Sequence, residues 1–308
     1  MLNYKLYQLE FSNGVRFGNG MLNSTEISFH ADTLFAALFQ EALKLRIEDI
    51  FLDAVKNGKI VLSDAFPYIE KTLYLPKPMY QNKQKIEKRG DSKQKKKIKN
   101  MKFIPCDEIE NFINGTMPEN EINDMQDLGK HSMKVSVGIL GNEEPMPYRV
   151  SSFHFNDGSG LYIIVGTETV KESEMFYDLL ESLSYQGLGG KKSSGLGRFD
   201  FLEKELPEAL NKRIGNKATH YMLLSTALPE DDEFEKSLDG AFYSLVKRSG
   251  FVASDTYSVQ QMKKRDLYVI ASGSVFNKIF KGKVVEERNG GTHPVYRYEK
   301  ALFMGVNV

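Results

Sequence analysis

The apolar positions fall into blocks with two distinct periods. Residues 4–11 alternate, placing Tyr7, Leu9 and Phe11 on one face, and this predicts a strand. A glycine-punctuated loop follows, with Arg16 and Phe17 between Gly14 and Gly18. From Ala31 to Leu45 the period changes: Leu34, Leu38 and Leu45, with Phe35 and Phe39 beside them, recur at helical spacing, and Asp32 lies in the first turn. Two apolar runs, residues 149–155 and 161–165, flank Asn156-Asp157-Gly158-Ser159-Gly160 and predict a hairpin. Thr169 and Glu172 then form a capping box that opens a helix with Met175, Leu179 and Leu183 in one stripe. A strand is predicted around residues 199–202.

The pattern breaks between residues 76 and 148. Ten Lys or Arg residues stand within 83–102 against Glu87 and Asp91, and 107–127 carries seven acidic residues and no basic one. Such charge blocks read as surface insertion and not as core. The lysine run reads as a solvated face, with non-specific RNA contact or an acidic partner as the alternative. With the insertion removed, the order is strand, helix, strand, strand, helix, strand. That is the order of a ferredoxin-like, RRM-like unit. After a polar linker at 211–217 the pattern partly repeats. A strand is predicted at 221–227, then a helix aligning Phe234, Leu238, Phe242 and Leu245 with Asp231 as N-cap, and further strands near Phe251, at 267–271 and at 301–306. The expected architecture is therefore α+β, with two modified ferredoxin-like domains: residues 1–212, carrying the insertion at 76–148, and residues 216–308.

Composition narrows the chemistry. The 308 residues carry 41 basic and 41 acidic side chains, so any nucleic-acid surface must come from local clustering. One cysteine, Cys106, leaves no intramolecular disulfide and no cysteine-based metal cluster. No apolar stretch reaches membrane-spanning length, and a cytoplasmic protein is the simplest expectation.

The most informative segment is Gly187-Leu188-Gly189-Gly190-Lys191-Lys192-Ser193-Ser194-Gly195-Leu196-Gly197-Arg198. Glycines let backbone N–H groups approach a phosphate, and Lys191, Lys192 and Arg198 supply charge beside the Ser193 and Ser194 hydroxyls. It lacks the spacing of a phosphate-binding Walker loop, and Lys192 stands where a dinucleotide fingerprint needs its third glycine. It also follows a helix and precedes a strand, the reverse of a mononucleotide loop.

"SLSYQGLGGKKSSGLGRF" resembles the glycine-rich loop of RAMP proteins, the RNA-binding subunits of CRISPR systems. "FHADTLFAALFQEAL" (29–43), "LPKPM" (75–79), "KRSGFVAS" (247–254), "ASGSVF" (271–276) and "YEKALFMGV" (298–306) are similar to successive elements of the Cas-five-like branch found in type III-A (Csm) complexes. The resemblance implies a non-catalytic subunit that anchors the 5′ repeat tag of the guide RNA (crRNA) in an antiviral ribonucleoprotein. It also implies partners, the large signature subunit and the backbone RAMP subunit, with no cofactor, metal or small-molecule substrate. A projecting thumb hairpin would fall at 129–148, where Met133, Val135 and Val137 alternate with Lys134 and Ser136; apolar wedges of this kind unstack bases.

Further RNA contacts are expected from Arg16 and Phe17, as phosphate ligand and base-stacking ring, and from Arg248 and Phe251 at a helix-to-strand junction. For Phe17 a core-anchoring role is the alternative, and for Arg248 a helix-terminal charge. His30, entering the first helix, is also counted among the expected RNA contacts, with capping or loop fixing as its structural role. The rival to the whole reading is a metal-independent RAMP endoribonuclease that processes repeat RNA, with His30 as general base. No second acid is identifiable, and His131, His154, His220 and His293 are scattered.

Overall fold

A computed structural model describes the chain except for residues 1, 19, 81–91, 119–120, 122–124, 139–143, 255, 259, 261, 288–289 and 308. Strand β1 (Asn3–Glu10) is an interior strand of the main sheet, one place from its edge. Helices α1 (Ala31–Leu45) and α2 (Glu48–Lys56) lead to β2 (Ile60–Leu62), β3 (Phe66–Ile69) and β4 (Thr72–Pro76). Then come α3 (Ser92–Asn100), β5 (Phe103–Pro105) and α4 (Ile109–Ile113). A long hairpin of β6 (Gly129–Gly138) and β7 (Met146–Phe155) precedes β8 (Ser159–Thr167), α5 (Val170–Gln186) and β9 (Asp200–Glu205).

In the main sheet the order is β5-β4-β3-β8-β1-β9, with β2 also on β8, and each pairing is antiparallel. Both faces of the central strands are covered, so alternation sends neighbouring residues into different cores. Tyr7, Leu9, Leu161, Ile163 and Val165 pack under α1, α2 and α5. Leu6, Tyr162 and Ile164 point the other way. Because β8 is buried along its whole length, it reads as a continuous apolar run.

That burial overturns the hairpin expected around 156–160. The turn itself forms, with the Ser159 N–H donating to the Asn156 carbonyl at 3.0 Å. However, β7 pairs with β6, and β8 pairs with β1, β2 and β3. The insertion is likewise not all surface. Ile104, Ile109, Phe112 and Ile113 are buried in the second core. The spacing Ile109, Phe112, Ile113 is a helical apolar stripe hidden within an acidic stretch.

After α6 (Glu208–Arg213), which buries Leu210 and runs into the expected linker, β10 (His220–Leu223) sits between β13 (Val275–Phe276) and β16 (Phe303–Val306). Helix α7 (Phe234–Leu238) is shorter than expected. Gly240 adopts φ +66°, Phe242 pairs with Val275 instead, and Leu245 opens β11 (Leu245–Arg248), which pairs with β12 (Leu267–Ile270). Asp231 is not the cap; it pairs with Lys283 at 2.6 Å. The last hairpin, β14 (Gly282–Glu287) with β15 (Val295–Lys300), packs on α1. Through it Tyr298 reaches the first core, its ring 5.9 Å from Phe35, and its hydroxyl accepts the Leu62 N–H at 2.7 Å.

Candidate nucleic-acid interface

Three segments distant in sequence form one ridge. The glycine loop between α5 and β9 is laid against the loop after β1: the Gly190 N–H donates to the Arg16 carbonyl at 2.8 Å, and the Gly197 N–H to Gly14 at 3.1 Å. The loop closes on itself where the Leu188 N–H donates to Gly197 at 2.8 Å. Gly197 has φ +81°, and a Cβ there would overlap the Leu188 carbonyl oxygen, so neither backbone nor space admits another residue. On its far side the β1 loop pairs with the end of β7, just beyond the expected thumb. Val15 and Phe153 exchange backbone hydrogen bonds at 2.7 and 2.9 Å, and the Ser151 N–H donates to Leu22 at 2.9 Å.

The glycine residues are thus the seated part of the loop and its cations the presented part. Gly187 is buried, and Gly189, Gly190 and Gly195 are half-buried, whereas Lys192, Ser193, Ser194 and Arg198 are exposed. Lys192 and Arg198 make no ion pair among the described residues. Lys191 turns aside, its Nζ lying 5.4 Å from the Tyr148 ring centre on β7. This Tyr148 contact ties the loop to the hairpin, and nothing in the sequence pattern signals it.

The hairpin carries exposed apolar residues on its outer length. Met133, Val135 and Val137 are each more than half exposed, and Met146 is 73% exposed. Lys134 is exposed on the opposite face, so neither face packs on the core. Residues 139–143, within the expected thumb, lie outside the described residues.

Phe17 does not join the presented surface. It is 4% exposed, with its ring against Phe29 at 5.1 Å and Phe11 at 6.1 Å, and no face is left for a base. Its core-anchoring alternative is the structural one, because the edge of the loop must be held by something apolar. Arg16 remains half-exposed beside the glycine loop, and its Nη2 donates to the Met21 carbonyl at 2.7 Å.

The remaining candidates gather elsewhere, at the N-terminus of α1. Here the helix is capped by a side chain the sequence reading missed. Asp64, 2% exposed, accepts the Ala31 N–H at 2.8 Å and the Thr226 N–H at 2.9 Å on one oxygen, and meets His30 Nδ1 at 2.7 Å on the other. His30 itself caps nothing, so the expected capping role belongs to the carboxylate that holds it. A lone Asp within the apolar run Ile60–Phe66 was the available signal, because a carboxylate there must be satisfied.

Beside it, Arg248 donates to both oxygens of Asp32 at 2.9 and 2.7 Å and to Thr33 Oγ1 at 3.0 Å. Its charge is spent inside the protein, which corrects its assignment as a phosphate ligand. Burial would raise the Asp32 carboxyl, but the Arg248 guanidinium outweighs it and holds Asp32 below the usual carboxylate range. Glu299 is fully enclosed nearby, and among the described residues both its oxygens lack a hydrogen-bond partner; burial first, then repulsion from Asp32, pushes its carboxyl well above the usual value. Phe251 is 57% exposed on the loop beyond β11.

Among the described residues no group of three His, Cys, Asp or Glu side chains could hold a metal ion, and no helix is long and apolar enough to cross a membrane. Burial first, then Asp107, lifts the Cys106 thiol to about 11, far from a reactive thiolate.

Residues 216–306 match the model of the CRISPR Csm4 C-terminal domain. The whole chain is 37% identical to the CRISPR system Cms protein Csm4 of Mycobacterium tuberculosis, covering 99% of this chain and 98% of that one. The chain belongs to the Csm4 family. Its Streptococcus thermophilus relative is 36% identical over the full length of both proteins. The mixed helix-and-sheet fold of this Csm4-family chain is similar to solved structures as well. A chain of a Csm3-Csm4 subcomplex from a type III-A CRISPR-Cas interference complex superimposes with TM-score 0.66 and 18% identity, covering 99% of this chain and all of that one. A chain of a Csm1-Csm4 cassette bound to cA4 gives 0.62 over 98% of this chain and 97% of that one.

Proposed function

We propose that this protein is a non-catalytic RNA-binding subunit of a type III-A CRISPR effector complex, anchoring the 5′ repeat tag of the crRNA. The observation that carries the reading is the glycine loop. Its backbone is fastened to the β1 loop, while Lys192, Ser193, Ser194 and Arg198 face outward beside an exposed apolar hairpin. Such an arrangement suits a single strand: fixed cations and hydroxyls meet phosphates, and Met133 and Val135 on the β6–β7 hairpin act as a thumb between bases. The strand order β9-β1-β8-β3 with helices α1 and α5 supports a ferredoxin-like first domain. A second, modified unit would begin near residue 216, where the family match starts.

The likeness to chains from Csm1-Csm4 and Csm3-Csm4 assemblies supports docking against a large signature subunit and a backbone RAMP subunit in the cytoplasm. Catalysis would then belong to those partners. One observation favours the rival endoribonuclease: Asp64 holds His30 Nδ1, which leaves Nε2 free to take a proton. Against it, Asp64 is already committed to the Ala31 and Thr226 amides, and no acid for the leaving oxygen stands opposite among the described residues.

The test is purification of the tagged protein with its complex, comparing wild type, Lys192→Gln/Arg198→Gln and His30→Ala. The proposal expects RNAs sharing one repeat-derived 5′ end in wild type, weakened RNA retention in the loop variant, and unchanged RNA lengths in His30→Ala. Accumulation of long precursor RNA in His30→Ala would make His30 catalytic and overturn it.

A further inference from the structure

The last turns of α3 hold Lys96, Lys97 and Lys99, all exposed and none in an ion pair among the described residues. Ile98 faces inward against the second core, so the helix has a fixed inner side and a cationic outer one. Lysines at a helix C-terminus ordinarily answer the exposed carbonyls there. Here that task is already performed by another residue: Lys77 Nζ donates to the Ile98 carbonyl at 2.6 Å and the Lys99 carbonyl at 3.0 Å. The three outer lysines are therefore surplus to the helix, and at neighbouring positions they repel one another.

Their location gives the surplus a purpose. Just beyond the helix, Lys102 reaches Glu26 at 3.3 Å. The Glu26 N–H donates to the Phe17 carbonyl at 2.9 Å, in the same loop whose Arg16 carbonyl seats Gly190. A short run of hydrogen bonds and one ion pair thus joins α3 to the ridge described above. The charge of the only acidic side chain in that run, Glu26, is answered by Lys102.

We propose that Lys96, Lys97 and Lys99 form a second contact for single-stranded RNA, engaging phosphates of the strand beyond the stretch held by the glycine loop. The proposal rests on the RNA-binding reading and extends it from the loop to the insertion. Lysines on an exposed helix act as point charges without base recognition, so the contact adds affinity and reach without sequence preference.

The experiment is a fluorescence titration of the full chain with a labelled single-stranded RNA, in long and short versions, across a salt series. Lys96→Gln/Lys97→Gln/Lys99→Gln removes three charges. At roughly 0.7 per phosphate in log K against log salt, the slope should fall by about 2, and affinity for the long RNA by on the order of 100-fold at 0.1 M salt. The short RNA should lose little. A second variant, Lys212→Gln/Lys217→Gln/Lys236→Gln, removes equal charge from exposed lysines elsewhere and should change binding far less.

An unchanged slope in the α3 variant overturns the proposal, as does an equal loss in the remote one. If the tagged complex purified with the α3 variant loses a protein subunit while RNA affinity in the titration is intact, the proposal is also overturned and the helix belongs to an acidic protein surface. Lys192→Gln/Arg198→Gln, measured in parallel, separates the two readings. If the loop variant weakens RNA binding and the α3 variant does not, only the extension fails. If neither does, the RNA-binding reading fails with it.

Discussion

Replacing Arg248 by Met distinguishes a structural cation from an RNA ligand. The guanidinium makes a two-pronged bond to Asp32, and the side chains are 18% and 12% exposed, so the pair is largely withdrawn from water. Removing one member strands the other. For buried pairs that costs about 3–5 kcal/mol, and the remaining exposure of Arg248 argues for the lower end, about 3. Unfolding entropy of roughly 2.1 cal/mol/K per residue gives about 0.65 kcal/mol/K for 308 residues, so Tm should drop by about 5 °C. Asp32→Asn/Arg248→Met should recover part of that loss, because the stranded charge is gone. Because the Asp32 carboxyl is held below its ordinary 3.8, the pair stabilises the fold above that pH and the contribution fades as pH falls through the folded value. Thermal melts and RNA titrations of the four proteins in the cycle decide the matter. Unchanged Tm in Arg248→Met with a large drop in RNA affinity would refute the reasoning and return Arg248 to the phosphate.

Phe17→Ala should destabilise the chain by about 3–5 kcal/mol in urea unfolding, as loss of an enclosed aromatic ring does; a ring that stacks on RNA would instead lose binding at constant stability. Met133→Ser/Val135→Ser should leave stability within about 0.5 kcal/mol, since both side chains are exposed, while reducing the fluorescence rise of a 2-aminopurine placed in the tag. Glu299→Gln should flatten the pH dependence of stability. The folded carboxyl is raised above its ordinary 4.5, so wild-type stability falls as pH rises through and beyond that value, and the variant's advantage should widen toward neutral pH. Urea midpoints at acid and neutral pH check this, and a constant gap would show Glu299 ionised in the fold.

What could be read from the chain depended on whether one local period carried the information. Helix α1 appears over the predicted residues because Leu34, Phe35 and Leu38 repeat at helical spacing, and the Thr169–Glu172 capping box opens α5 as expected. The glycine loop was legible for a related reason: glycine at φ +81° beside a carbonyl is a backbone requirement that only one residue type meets. Strand partners were not legible, because apolar β7 and β8 fit a hairpin as well as they fit separate neighbours. Nor does residue type say which way a side chain points. Phe17 in the glycine loop and Phe251 at a helix-to-strand junction were both expected to meet RNA, yet one is enclosed and the other is 57% exposed. The helix predicted through Phe242 and Leu245 failed at Gly240, whose left-handed backbone ends the helical run.

A formal charge of zero argues against an RNA binder only if the charges are evenly spent. They are not. Several cations of the second half are answered by acidic side chains: Arg248 by Asp32, Arg297 by Glu287 at 2.8 Å, Lys247 by Asp266 at 2.6 Å and Lys283 by Asp231. Lys300 Nζ donates a hydrogen bond to the Lys56 carbonyl at 3.0 Å. On the glycine loop and the end of α3, by contrast, Lys192, Arg198, Lys96, Lys97 and Lys99 have no acidic partner among the described residues. Acidic side chains thus neutralise these four cations, while the five on the loop and helix keep their charge for a partner. On the RNA-binding proposal, a subunit built this way should bind weakly as a free chain at physiological salt, where screening reaches about 8 Å, and tightly once neighbouring subunits close water away from the strand. Its dependence on salt should accordingly be steeper as a lone protein than within the assembled complex.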